Sequence, residues 1–210
     1  MEMLGGSEME GIIFFWGGWF LWIIATFFLP KKSPYRLKAA VCILLLIILV
    51  PYHLTFLGFQ INAALLLLYM FSLVHVIQKK KIVSFYVFLS SFIIMLAYVS
   101  FLLFELFDPV WVIFNHELML GFVLIYLSVL LQSDKILRFF TISIGAIQGE
   151  ILFSLVIKRL SFSYPIGSLS FFDCFTVAII LLFLWSLVEI AIVNIDHHLD
   201  QQGREKMKST

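Results

Sequence analysis

The chain has 210 residues, 62% of them hydrophobic and 13% charged, with a net charge of +1. Soluble domains lie near about 45–50% apolar and about 25% charged, so a water-soluble globular domain is excluded. With a mean hydropathy of +1.07 and apolar runs of about 18 residues recurring to the end, the composition predicts one all-α domain, a polytopic transmembrane helical bundle.

In chain order, residues 1–10 are acidic (Glu2, Glu8, Glu10) and lack the basic region of a signal peptide. Met9 is an alternative start to Met1, with the first eight residues as an upstream extension. The first span covers about 11–29 and ends at Pro30-Lys31-Lys32. Trp16, Trp19 and Trp22 fall close to one face of it, as interfacial anchors do. The second span covers about 39–57, with a kink at Pro51 because proline removes a backbone donor. Gly58-Phe59-Gln60 is read as a tight turn into the third span, about 61–78, which Lys79-Lys80-Lys81 stops. The fourth span is about 82–104, and the turn from Glu105 to Pro109 leads into the fifth, about 110–131. The sixth covers about 136–157. A loop over 158–171 with Tyr164-Pro165 and Gly167 precedes the seventh, about 172–195, and a polar cytoplasmic tail follows over 196–210.

Seven spans put the termini on opposite sides, and basic residues set the direction. The first, third and fifth loops and the tail hold twelve lysines and arginines, against Lys158 and Arg159 on the other side. The positive-inside rule therefore predicts the amino terminus outside and the carboxyl terminus in the cytoplasm. Lys158 and Arg159 are expected to snorkel at the outer interface. Cys42 and Cys174 fall at opposite membrane faces, so no internal disulfide is expected.

Two polar islands interrupt the apolar pattern: Asn115-His116-Glu117 in the fifth span and Gln148-Gly149-Glu150 in the sixth. At 1.5 Å per residue, Glu117 and Glu150 each come out about 10 Å below the outer edge. Consecutive antiparallel spans are usually neighbours, so the two carboxyls could share a site with His116, Asn115 and Gln148. One reading is a proton- or cation-responsive site, because close carboxyls repel and one then holds a proton more tightly. The plainer reading is hydrogen bonding across helices that holds the bundle together.

Thr141, Gly145 and Gly149 recur at i, i+4 and i+8, a ridge of small residues that permits close helix approach within the chain. Ser143, Ala146, Glu150 and Ser154 form a polar strip beside it, so the sixth span is expected to be the most enclosed. Leu181 and Leu182 are expected to face lipid. Glu189 and Asn194 are read as snorkelling or capping groups, His53 and His75 as interfacial, and His197-His198 as solvated.

Enzyme signatures fail. His116-Glu117 begins like HExxH, but Leu120 stands where the second histidine is required. There is no GxSxG elbow and no P-loop, and the seventh span carries no lysine for a retinal Schiff base. No metal, cofactor or nucleic acid is expected; membrane lipid and protein partners within the membrane are.

The segment Met9-Glu10-Gly11-Ile12-Ile13-Phe14-Phe15-Trp16-Gly17-Gly18-Trp19-Phe20-Leu21-Trp22, followed by Thr26-Phe27-Phe28, resembles the opening of YphA-like integral membrane proteins of spore-forming bacilli. Overall length and compact layout agree; residues 1–8 depart from the pattern. The resemblance implies a multi-pass protein of the bacterial plasma membrane without assigned enzymatic activity, connected with spore envelope assembly, and carries over no catalytic residues. The expected function is a non-enzymatic assembly or scaffold factor. The alternative is a small transporter or a proton- or cation-responsive protein that uses Glu117 and Glu150.

Overall fold

A computed structural model describes residues 10–28, 34–56, 59–160 and 164–208. Its seven helices, in chain order, are α1 (Ile12–Ile23), α2 (Pro34–Leu49), α3 (Ala63–Ile77), α4 (Lys81–Phe107), α5 (His116–Leu131), α6 (Lys135–Arg159) and α7 (Leu169–Lys208). A short antiparallel hairpin, β1 (His53–Phe56) with β2 (Phe59–Asn62), joins α2 to α3. The expected start at Met9, the Lys31-Lys32 stop and the Gly58 corner lie outside the described residues. Three helical stretches, Lys81–Phe107, Lys135–Arg159 and Leu169–Val193, are long and apolar enough to cross a membrane, whose hydrocarbon core takes about 20 residues.

Helix α6 is the core of the bundle. Almost every residue from Leu137 to Gly149 is buried, and α4 crosses it at very short range. A Cβ on Gly145 would stand 2.7 Å from Ile94 and 2.8 Å from the Ser91 carbonyl; one on Gly149 would stand 2.6 Å from the Tyr98 ring. The third member of that ridge, Thr141, is also buried and returns its hydroxyl to the Leu137 carbonyl at 2.8 Å. On the other side of α6, α7 packs against α1 and α5, meeting Gly17 through Thr176 and Gly121 through Val177.

Several boundaries differ from the sequence reading. The second span, expected to reach residue 57, ends as a helix at Leu49, because Pro51 cannot donate to the next turn. The chain then forms the hairpin, whose ladder satisfies the backbone groups a continuing helix would have paired. Apolar periodicity over so few residues does not separate strand from helix. The fifth span, expected from about 110, starts at His116: a single 3-10 turn over Pro109–Trp111 and an extended stretch precede it. Leu182, expected to face lipid, is buried. The tail continues α7 as a helix to Lys208; the side chains of Asn194, His197 and His198 lie outside the described part.

The loops at the hairpin end are joined. Asn62 N donates to the Ile166 carbonyl at 3.0 Å, and Ile166 N donates to the Gln60 carbonyl at 2.8 Å. Asn62 also caps α3, accepting from Ala64 N at 2.9 Å, while its amide donates to the Val50 carbonyl at 2.7 Å. One buried asparagine therefore ties the end of α2, the start of α3 and the α6–α7 loop together.

Candidate functional site

The hairpin end of the bundle holds most of the unusual polar chemistry. Glu150 sits on α6 with its side chain fully buried. A lone carboxyl at such a place is expensive unless donors surround it. Its donors come from two other elements: the Tyr98 hydroxyl on α4 at 2.7 Å and the Gly167 N–H of the α6–α7 loop at 3.2 Å. The Tyr164 hydroxyl and the Ser168 N–H also act on it. These partners are hydroxyls and backbone amides rather than a cation.

The local backbone makes this possible. Gly167 adopts φ +81°, a region favourable to glycine, and a Cβ there would meet Asn62 at 2.8 Å and Leu65 at 2.9 Å. The hairpin thus presses the loop onto the bundle and aims its amide at Glu150. Burial pushes the Tyr164 hydroxyl well above its ordinary range, so it stays a neutral donor.

Above Glu150 opens a cleft of about 560 Å³. Glu10 and Glu105 contribute carboxylates, and Tyr98, Phe153, Tyr164 and Phe171 contribute aromatic surface. His116 is the only described lining side chain that can carry a positive charge. Its Nδ1 lies 2.6 Å from Glu105 Oε2. That contact has the length of a charge-assisted pair, but the ring nitrogen is not directed along a hydrogen bond to it. Distance alone therefore joins the two. Cys174 of α7 also lines the cleft.

The residues expected to form one site each meet a different partner. Asn115 is the N-cap of α5, exposed, and accepts from Glu117 N at 3.1 Å. Because α5 starts only at His116, Glu117 stands in the first helical turn. The Glu150 carboxylate is engaged by Tyr98 and Gly167, and the acid against His116 is Glu105. Gln148 points away, toward Tyr69 of α3 at 3.4 Å. Two positions apart on a helix lie about 200° apart, so Gln148 and Glu150 could not share a face.

Asp173 had no place in the sequence reading. It is buried on α7 and accepts from Gly11 N at 2.5 Å and Phe14 N at 2.7 Å. Gly11 has no side chain to cap α1, so an acid from the far end of the chain satisfies that helix start and faces its positive dipole end. Apolar neighbours on both sides of Asp173 gave no local sign of this.

At the opposite end of the bundle lies a second cluster. Arg138, buried on α6, places Nη1 2.6 Å from Glu189 Oε1 and donates from Nε to the Gln132 carbonyl at 2.7 Å. Trp185 Nε1 donates to the same Glu189 oxygen at 2.7 Å, and Lys135 Nζ stands 3.4 Å from the other. Glu189 is thus an ion-pair partner between α6 and α7 rather than a snorkelling group. Arg138, counted only as a loop charge by the sequence, is its anchor. Cys42 and Cys174 are free thiols. Among the described residues no group of three histidine, cysteine or acidic side chains could hold a metal ion.

The chain is 28% identical over 205 residues to a Bacillus subtilis (strain 168) protein named "Uncharacterized protein YphA", an alignment covering 96% of each chain. No solved structure matches. The model of the YphA-like integral membrane protein family matches residues 10–208, and the chain, an integral membrane protein built of apolar helices, belongs to that family.

Proposed function

We propose that this is a seven-span, non-enzymatic protein of the bacterial plasma membrane, amino end outside and carboxyl end in the cytoplasm, whose outer cleft receives a small organic cation. The topology is supported by the twelve-to-two distribution of basic residues. The observation that carries the ligand class is the composition of the cleft: the Glu10 and Glu105 carboxylates face aromatic walls, with His116 as the sole described cation-capable lining group. Carboxylate together with aromatic faces is the chemistry that recognises an ammonium ion. Below Glu150 the α4–α6 contact is closed by Ile94 against Gly145 and Tyr98 against Gly149, which favours binding and response over conduction.

A second reading, a membrane scaffold in spore envelope assembly, rests on α7. That helix begins beside the cleft, where Phe171 and Cys174 line it, and continues to Lys208. Occupancy at one end can thus bear on a helix that a cytoplasmic partner meets at the other.

A cysteine placed at the cleft by Ser170→Cys tests both sidedness and ligand. In intact cells a membrane-impermeant thiol reagent should label it, and choline should slow labelling at least severalfold more than sodium at equal ionic strength. Glu105→Gln should remove that protection. Labelling only in inverted vesicles overturns the orientation; labelling that choline does not slow overturns the cation reading.

A further inference from the structure

The lipid-facing seam between α5 and α7 carries two depressions that meet end to end. The first, about 340 Å³, has apolar walls that include Phe122 and Val129 from α5 and Leu184, Trp185 and Val188 from α7. The second, about 430 Å³, shares Val129 and continues one turn onward, where Ile192 and Val193 face Lys135, Arg138 and Glu189. From Leu181 to Val193 the seam runs about 18 Å along α7 at 1.5 Å per residue. A groove that is apolar over most of its length and charged at one end has the form of a lipid molecule.

Charge decides the headgroup. Glu189 is already occupied: Arg138 and Trp185 meet one of its oxygens and Lys135 the other. Lys135 also reaches the Ser186 carbonyl at 3.5 Å, and Arg138 gives Nε to the Gln132 carbonyl at 2.7 Å; an ammonium has three donors and a guanidinium five, so these acceptors still do not use them all. The nearby Asp134 is committed elsewhere, accepting from Ile136 N at 2.9 Å and Leu137 N at 3.4 Å at the start of α6. The groove mouth therefore has two positive side chains against one negative, with donors left over for an acceptor.

We infer that the α5–α7 groove binds one anionic phospholipid, its acyl chain along Phe122 and Val188 and its phosphate on Lys135 and Arg138. The site needs only the end of the bundle at which these residues lie, so it stands whichever membrane face that end occupies.

Native mass spectrometry of the full-length protein, released from nanodiscs with equal parts phosphatidylglycerol and phosphatidylcholine, tests this. The parent should retain phosphatidylglycerol over phosphatidylcholine by about fivefold, the factor for the about 1 kcal/mol that one net positive charge is worth at a membrane surface. Lys135→Gln should erase most of that preference, and Val188→Trp, which fills the groove, should reduce retention of both lipids. The triple change Lys79→Gln, Lys80→Gln, Lys81→Gln, in the basic stretch between α3 and α4, should leave the preference intact. The site is overturned if Lys135→Gln keeps the parental ratio, if the triple variant loses as much as Lys135→Gln, or if Val188→Trp instead dissolves a dimer and leaves lipid retention unchanged.

Discussion

The two ends of the bundle treat buried charge in opposite ways. At the Arg138 end, opposite charges meet directly: guanidinium to carboxylate at 2.6 Å, with the ammonium of Lys135 and the indole of Trp185 closing the set. At the hairpin end, the buried Glu150 is held by a tyrosine hydroxyl and a backbone amide, and the carboxylates of Glu10 and Glu105 line the cleft beside it. The first arrangement joins two helices and reads as a clamp between α6 and α7, with spare donors of Lys135 and Arg138 at its outer edge. The second sets the Glu10 and Glu105 carboxylates against a single cation-capable side chain among the described lining residues, His116, and the acid in excess is what a ligand can complete.

Breaking the balance at the clamp should have the largest effect. Arg138→Met leaves Glu189 facing a buried apolar side chain. It should destabilise the detergent-solubilised protein toward the lower end of the about 3–5 kcal/mol seen when one partner of a buried pair is removed, since Glu189 is partly exposed. The double change Arg138→Met, Glu189→Leu should recover much of that loss in the same thermal unfolding experiment. A double variant no more stable than Arg138→Met would mean that the pair is more than a self-neutralising clamp. Next in size is Gly149→Leu, which drives a side chain into the Tyr98 ring and disturbs the donor of Glu150 from below. It should cost about 1–3 kcal/mol through overpacking, whereas Leu184→Ala on the exposed face of α7 should stay within about 0.5 kcal/mol. Equal tolerance at both positions would separate the hairpin-end site from the α4–α6 contact that this structure makes its floor.

The smallest effect sharpens the contrast. Tyr98→Phe removes one neutral donor from Glu150 while the Gly167 N–H remains, and should cost about 0.5–1.5 kcal/mol. Glu150→Gln in that background should change stability little further, because the two groups share one hydrogen bond and their losses do not add. Additive losses would show that Glu150 draws its stability from elsewhere in the cleft.

Much of this molecule was legible before its structure. Composition and apolar runs required a helical membrane protein, and the small residues at Gly145 and Gly149 marked the helix with the closest neighbours. The opening residues pointed to the family that the full-length comparison shows. These properties follow from local rules: what lipid excludes, and what a missing side chain permits. The sequence also singled out Glu150 and His116 as polar groups needing a reason, but did not name the groups that contact them. Glu105 and Tyr98, the groups they actually meet, lie in what reads as an ordinary turn and an ordinary span.

Only the tertiary structure decided those partners. The α5 start is set by Asn115 as a cap, a residue the sequence pattern places inside a span. The donor to Glu150 comes from Gly167, whose loop is placed by a hairpin that sequence periodicity reads as helix. Asp173 caps a helix that begins 162 residues earlier in the chain, and Arg138 finds Glu189 from 51 residues away. Burial is written in residue types, because each type has its own cost of leaving water. Which buried polar group satisfies which depends on distances between segments that are remote in sequence, and no local pattern encodes them.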